Sequence, residues 1–185
     1  VDDDRLRHDA EQVLESAHHA SHLVRRVLTF GQKLPPRLEV VDLHELVRKT
    51  VSLARAGKAG EVDIRVEGPA RPARVRADPS QLHQVVMNLC TNALEAMEGT
   101  GGRLTVACGH GVAPVARRSH QREEVPADGL DDGRTVWLMV TDSGPGMTRD
   151  VVDRVFEPFF TTRTDAGGTG LGLSIVHGLV LNLGG

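Results

Sequence analysis

The stretch QVVMNLCTNALEAM, residues 84–97, places two asparagines beside an apolar stripe. The stripe recurs at three- and four-residue steps, which predicts a helix with one buried side, formed by Val85, Val86, Leu89, Ala93, Ala96 and Met97. Asn88 and Asn92 are four residues apart, so they share one face of that helix. Burying an amide without a partner costs about 1–3 kcal/mol. The pair therefore either faces solvent or caps a neighbouring loop, or it faces a cleft where one oxygen binds a hard cation such as Mg²⁺.

Length and charge restrict the class of protein. The chain has 185 residues, of which 39% are hydrophobic, enough for one domain with an appendage or for two small ones. A net charge of −3 with both signs interspersed offers no basic surface and argues against nucleic acid as a partner. No apolar run approaches the roughly 20 residues that span a membrane, and no signal-peptide pattern opens the chain. We expect a cytoplasmic segment without membrane contact of its own, even if the parent protein is membrane-anchored.

The first part of the chain has the pattern of one long helix. Residues 2–33 carry an apolar stripe at three- and four-residue steps, which must be buried against other helices. The prolines of LPPR, residues 34–37, end the helix because they cannot continue its hydrogen bonds. We therefore predict a helical segment over 1–36 and a separate domain over 37–185.

That second domain alternates helices and strands. Asp42 is predicted to cap a helix ending at Ala56, and Asp78 with Pro79 to open the asparagine-bearing helix. Strands are predicted over 61–68, 73–78, 103–109 and 135–144. The polar insert over roughly 109–134 is predicted to be a long hairpin loop or partly disordered, and it is followed in the chain by a short helix over 148–156, a loop over 157–169 and a final helix over 171–183. This order predicts an α+β fold: a two-layer α/β sandwich in which helices cover one face of a mixed sheet, preceded by the long N-terminal helix. Cys90 and Cys108 are predicted to be reduced packing residues.

The stretch VTDSGPGM, residues 140–147, follows a predicted strand. Gly144 and Gly146 allow the backbone to approach a planar ligand closely, and Asp142 offers an acceptor at the end of the strand. A carboxylate can accept a hydrogen bond from the exocyclic amine of adenine, whereas it would repel the carbonyl of guanine. The alternative is an Asx turn with structural glycines.

The stretch GGTGLGLS, residues 167–174, precedes the last predicted helix. A glycine-rich turn at a helix N-terminus presents free backbone N–H groups to an anion such as polyphosphate. Neither the Walker nor the dinucleotide-binding pattern is present, and the alternative is a flexible hinge. Just before it, VFEPFFTTR, residues 155–163, concentrates Phe156, Phe159 and Phe160, which suggests the anchor of a mobile lid. Arg163 could reach a terminal phosphate or remain solvated.

The order of these motifs is more specific than any one of them. Paired asparagines, Asp-x-Gly-x-Gly, the phenylalanine cluster and Gly-x-Gly-x-Gly resemble the ATP-binding domain of sensor histidine kinases, in the superfamily that includes gyrase, heat-shock-90 and MutL-type ATPases. The resemblance covers residues 42–185. It implies that Asn92 binds Mg²⁺ and that Asp142 contacts adenine. It further implies nucleotide contacts at Asn88, Gly144, Gly146, Met147, Phe156, Thr162, Arg163, Gly168, Thr169, Gly170, Leu171 and Gly172.

The resemblance also implies a reaction. Asn88 stands where hydrolysing relatives carry a glutamate that activates water, and an amide cannot take a proton. ATP would then be held for a histidine on a dimerisation hairpin, with relay to the aspartate of a response-regulator receiver domain. Asn88 and Asn92 are the candidate catalytic residues.

Three further expectations concern the parts of a sensor histidine kinase outside the nucleotide site. Residues 5–33 resemble the second helix of the dimerisation hairpin, so the parent protein is expected to be a homodimer through this helix. No histidine here matches the phosphoacceptor motif, and the family continues past Gly185 with further strands, which suggests a fragment. A non-catalytic, nucleotide-dependent interaction module is the alternative.

Overall fold

The computed structural model describes residues 36–56, 62–111, 135–163 and 168–185. The elements in chain order are β1 (Glu39–Asp42), α1 (Leu43–Ala56), β2 (Val62–Glu67), β3 (Arg74–Ala77), α2 (Pro79–Ala96), β4 (Gly102–His110), β5 (Val136–Asp142), α3 (Arg149–Arg154) and α4 (Gly172–Asn182). Three predictions are not tested by the described residues: the helix over 2–33 and most of the insert over 109–134, which lie outside them, and the boundary at 36/37, whose N-terminal side lies outside them.

Two sheets contain the strands. In the larger one, β4 lies in the middle, parallel to β2 and antiparallel to β5, so the sheet is mixed as predicted. In the smaller one, β1 pairs antiparallel with β3, and Glu39 lies opposite Ala77. The α+β fold is confirmed. The predicted order lacks β1, because this four-residue strand has no regular alternation and is defined by a partner more than thirty residues away.

The core lies between the larger sheet and helices α1 and α2. Fully buried side chains from the helices, such as Val47 and Val86, meet Leu104 and Val106 of the central strand. Cys90 on α2 belongs to the same core, and burial raises the pKa of its thiol to about 11. Both Cys90 and Cys108 are free and buried, as expected for packing residues. Burial on this side of α2 leaves its other side for the asparagines.

Two aspartates cap the core helices. Asp42 Oδ1 accepts hydrogen bonds from the backbone N–H groups of His44, at 3.0 Å, and Glu45, at 3.3 Å. Asp78 Oδ1 accepts from Ser80 N at 2.8 Å, and its Oδ2 accepts from Arg37 N at 2.9 Å. Pro79 occupies the first turn of α2, where its missing N–H costs nothing. Both predicted caps are therefore confirmed.

We expect Asp78→Ala to lower the free energy of unfolding by about 0.5–2 kcal/mol, since a helix loses its cap. Hydrogen bonds, led by that from Ser80, hold the pKa of Asp78 below its usual value. Because this pKa is lowered on folding, the stabilisation is present above the unfolded-state pKa and is lost as the pH falls through the folded-state value. Urea denaturation followed by circular dichroism at pH 7 and pH 3 measures both effects. Asp78→Asn, which retains a capping oxygen, is the control, and equal losses at both pH values would contradict the prediction.

Candidate nucleotide-binding site

The two asparagines of α2 face the start of α4. Asn88 is only 7% exposed, and its Nδ2 donates a hydrogen bond to the backbone oxygen of Gly172 at 3.3 Å. Asn92 is half-buried, and a Cβ placed on Gly172 would stand 3.2 Å from its Oδ1. Asn88 thus fixes the end of the glycine loop on α2, and Asn92 presents its amide beside the same backbone.

Asp142 lies at the end of β5, opposite Leu104 of β4. Its Oδ1 accepts a hydrogen bond from Gly144 N at 2.9 Å, so the Asx turn considered from the sequence is present. Ser143, which the sequence analysis did not single out, locks this turn to β4. Its N–H donates to Arg103 O at 3.0 Å, and its Oγ accepts from Arg103 N at 2.9 Å. The turn therefore holds the Asp142 carboxylate in place and uses only one of its oxygens.

Gly144 brings this turn against the end of α2. A Cβ on Gly144 would lie 2.9 Å from Asp142 Oδ1, 3.4 Å from Met97 Cγ and 3.5 Å from Ala96 Cβ. A larger residue would push the turn away from the helix. Gly146 follows with a φ of +74°, and Met147 is exposed next to it. The Asp-Gly motif and the asparagine pair therefore lie along one helix.

The glycine loop closes on the segment that precedes it. Gly168 N donates to Arg163 O at 3.0 Å, and Phe159 N donates to Gly170 O at 2.9 Å. Gly170 has a φ of +65°, and a Cβ there would lie 2.3 Å from the carbonyl carbon of Phe159. Thr169 Oγ1 accepts from the N–H of Leu171, which is buried at the entrance to α4.

In the phenylalanine cluster, two rings contact neighbouring side chains and the third is exposed to solvent. The Phe156 ring stacks on His177 of α4 with ring centroids 5.1 Å apart, and Arg154 lies over the Phe160 ring at 4.3 Å. Phe159 has a φ of +68° and is 71% exposed. Thr162 is also exposed. The Phe156 contact ties the cluster to α4, the Phe160 contact ties it to α3, and the lid role stays a prediction.

The guanidinium of Arg163 contacts the end of α2 and the turn that follows it. Its Nη1 lies 3.3 Å from Glu95 Oε2, and its Nη2 lies 2.8 Å from Glu98 Oε2. From the sequence, a phosphate or solvent was expected to contact Arg163, and neither glutamate was predicted. A signal was available, because Glu95 follows Asn92 by three residues and Asn88 by seven, which is the spacing of one helix face.

The described residues offer Mg²⁺ only a partial set of ligands. No group of three or more His, Cys, Asp or Glu side chains suited to a metal ion occurs among them. A single neutral oxygen, as from Asn92, fits Mg²⁺ that arrives with phosphates and keeps several waters. An open groove of about 430 Å³ lies elsewhere, between α1 and β2, and contains none of the predicted site residues.

Comparison with known families adds an independent observation. Residues 77–185 match the family described as histidine kinase-, DNA gyrase B- and HSP90-like ATPase. This range contains every predicted site residue. The chain belongs to this ATPase family.

Curated relatives of this chain include sensor kinases. Sensor kinase CckA of Brucella abortus (strain 2308) is 34% identical over 177 residues, which are 96% of this chain and 18% of CckA. Sensor histidine kinase ZraS of Escherichia coli (strain K12) is 31% identical over 180 residues, which are 96% of this chain and 34% of ZraS. The chain thus spans about a third or less of these relatives, and it corresponds to the ATP-binding catalytic region of a sensor histidine kinase.

Solved structures agree with this family assignment. The catalytic domain of histidine kinase ThkA has 28% identity and a TM-score of 0.57, with 79% of this chain and 81% of that chain covered. Full-length ShkA in complex with AMPPNP has 28% identity and a TM-score of 0.64, with 92% of this chain and 32% of that chain covered. Within the described ranges, no helix is long and apolar enough to cross a membrane.

Proposed function

We propose that this ATPase-family chain binds ATP with Mg²⁺ and transfers the γ-phosphate to a histidine on a dimerisation hairpin. One observation carries the proposal: the Asp-Gly turn and the glycine loop both lie against α2, the helix that carries the asparagine pair. Residues far apart in the sequence therefore form the two ends of one nucleotide site, a base end at Asp142 and a phosphate end at Gly168–Gly172.

Each part of this site has a proposed role. Asp142 accepts a hydrogen bond from the adenine amine through Oδ2, because its Oδ1 accepts from Gly144 N. Gly144, Gly146 and Met147 surround the base. The backbone N–H groups at the start of α4, preceded by Gly168 and Gly170, bind the phosphates because a helix N-terminus favours anions. Asn92 is the proposed magnesium ligand.

The proposed reaction does not need a general base from α2. Mg²⁺, when bound with the nucleotide, would neutralise charge on the phosphates. Asn88 cannot accept a proton at neutral pH, and its Nδ2 already donates to Gly172 O. The site is thus suited to holding and orienting the phosphates for an attacking histidine, and it should hydrolyse ATP slowly at most.

Phosphotransfer tests the proposal directly. The purified chain is incubated with γ-labelled ATP, Mg²⁺ and the dimerisation hairpin of the parent protein, and label on the hairpin is measured over time. We expect acid-labile label on the hairpin and little free phosphate. Asn92→Ala, which lacks the proposed magnesium ligand, should transfer less. Label-free hairpin despite ATP binding would favour a nucleotide-dependent interaction module, and rapid release of phosphate would favour a hydrolase.

Partners follow from the same proposal. We propose relay to a response-regulator receiver domain and dimerisation of the parent protein through the segment over 1–36. We also propose a cytoplasmic location, because ATP is the proposed substrate.

A further inference from the structure

Arg163 is the residue where the phenylalanine segment meets the glycine loop. Its backbone oxygen accepts from Gly168 N at 3.0 Å, and its own N–H donates to Thr161 Oγ1 at 3.1 Å. A Cβ on Gly168 would stand 2.5 Å from Thr161 Oγ1, so the two sides of the loop base are in close contact. The position of Arg163 therefore determines where the glycine loop starts.

The side chain of Arg163 ties this base to α2. It is two-thirds buried and contacts Glu95 at 3.3 Å and Glu98 at 2.8 Å. Glu95 lies one turn beyond Asn92 on α2, and Glu98 lies in the turn that follows the helix. The other end of the glycine loop is tied to α2 by Asn88, through Gly172 O. Thus α2 holds the loop at both ends, by an ionic contact before it and by an amide contact after it.

We propose that Glu95 and Glu98 are positioning residues, which clamp Arg163 and thereby set the place of the phosphate-binding loop. The proposal rests on the nucleotide site proposed above and adds to it two acidic residues that touch no phosphate. In this arrangement the charge of Arg163 is paired with Glu95 and Glu98, so Arg163 acts by holding the loop and not as a phosphate ligand. Negative charges beside an anion site would repel the anion, and a paired cation such as Arg163 offsets this repulsion.

Exchanging the charges of Arg163 and Glu98 distinguishes two roles of Arg163, positioning of the loop and direct contact with phosphate. The variant E95Q/E98Q removes the acidic partners at nearly constant shape. The variant R163E leaves three acidic groups together. The variant E95Q/E98R/R163E restores one ion pair with reversed polarity and is called the reversed pair. If Arg163 positions the loop, the reversed pair should recover function. If Arg163 binds phosphate, a glutamate at position 163 should repel ATP whatever stands at position 98.

The first readout needs no nucleotide. Hydrogen exchange of the Gly168 amide, measured by NMR, reports the bond to Arg163 O. We expect exchange to be about three- to tenfold faster in E95Q/E98Q, faster still in R163E, and within about twofold of the original chain in the reversed pair. D63N is the matched control, because Asp63 also pairs with two arginines, Arg65 and Arg103, but on the sheet. It should leave Gly168 exchange unchanged.

The second readout is ATP affinity by titration calorimetry in the same variants. We expect weaker binding in E95Q/E98Q and R163E and recovery in the reversed pair, with no change in D63N. Unchanged Gly168 exchange in E95Q/E98Q would overturn the clamp, and so would an R163E defect that the reversed pair leaves uncorrected in either readout. If the original chain binds no ATP, the proposed function fails, while the exchange data still decide whether the clamp exists.

Discussion

Asp142→Asn is expected to weaken ATP binding by about 10- to 150-fold, the loss that corresponds to one hydrogen bond to a charged group. The substitution is informative because of the turn after β5. An asparagine Oδ1 can still accept the hydrogen bond from Gly144 N, which Asp142 accepts at 2.9 Å. The second carboxylate oxygen, however, becomes an amide that donates, and it then faces the donating amine of adenine. The turn should survive while recognition of the base is lost.

Titration calorimetry with Mg-ATP measures this effect, and thermal unfolding checks that the fold is intact. Asp142→Ala removes the turn bond as well and should lower both affinity and stability. Asp63→Asn, a carboxylate-to-amide change on the exposed side of β2, serves as the control and should leave affinity unchanged. An Asp142→Asn variant that binds ATP like the original chain would place adenine recognition elsewhere.

Gly170→Ala is expected to reduce ATP affinity by at least about 30-fold, because two costs coincide. A left-handed conformation costs a residue with a side chain roughly 1–2 kcal/mol, and Gly170 has a φ of +65°. In addition, the new Cβ would lie 2.3–2.7 Å from backbone atoms of Phe159, which cannot yield as a side-chain tip can. The loop must therefore move away from the segment that precedes it, and the N–H groups proposed to bind phosphate move with it.

Two other glycines provide matched controls for this prediction. Gly184 has a φ of +82° but nothing within 4 Å of an added Cβ, so Gly184→Ala tests the conformational cost without the overlap. Gly178 lies within α4 with equally free space, and Gly178→Ala should be neutral or raise stability by up to about 1 kcal/mol. Both should retain ATP binding. Calorimetry and thermal unfolding of all three variants give the comparison, and normal ATP affinity in Gly170→Ala would contradict the proposed phosphate loop.

The parts of the fold that could be predicted from sequence are those with local causes. The cap at Asp78 and the apolar period of α2 involve neighbouring residues, so the pattern contains the whole cause. Strand β1 could not be predicted in this way, because four residues gain their structure from pairing with Arg74–Ala77 across an intervening helix and strand.

In the candidate site, too, the features with local causes could be predicted and those that depend on distant residues could not. The residue types and their order indicated an amide pair, an acid and a glycine loop, and helix geometry placed Asn88 and Asn92 on one face. The sequence did not indicate which partner each of these side chains contacts. Asn88 donates to Gly172 O, and Arg163 pairs with Glu95 and Glu98. Helix spacing placed Glu95 on the face of the asparagines, but the pairing of each group with its partner joins residues 65–84 positions apart, and a single sequence has no pattern for that pairing.

The β4–β5 hairpin has its site at one end and its connection at the other. Asp142 lies opposite Leu104, whereas the connection joins the paired residues His110 and Val136, six residue steps along the strands. At about 3.4 Å per step, roughly 20 Å of paired strand separates the two ends. Evolution could therefore lengthen or shorten this connection without displacing the carboxylate, and an engineer could graft a reporter domain there at little cost to nucleotide binding.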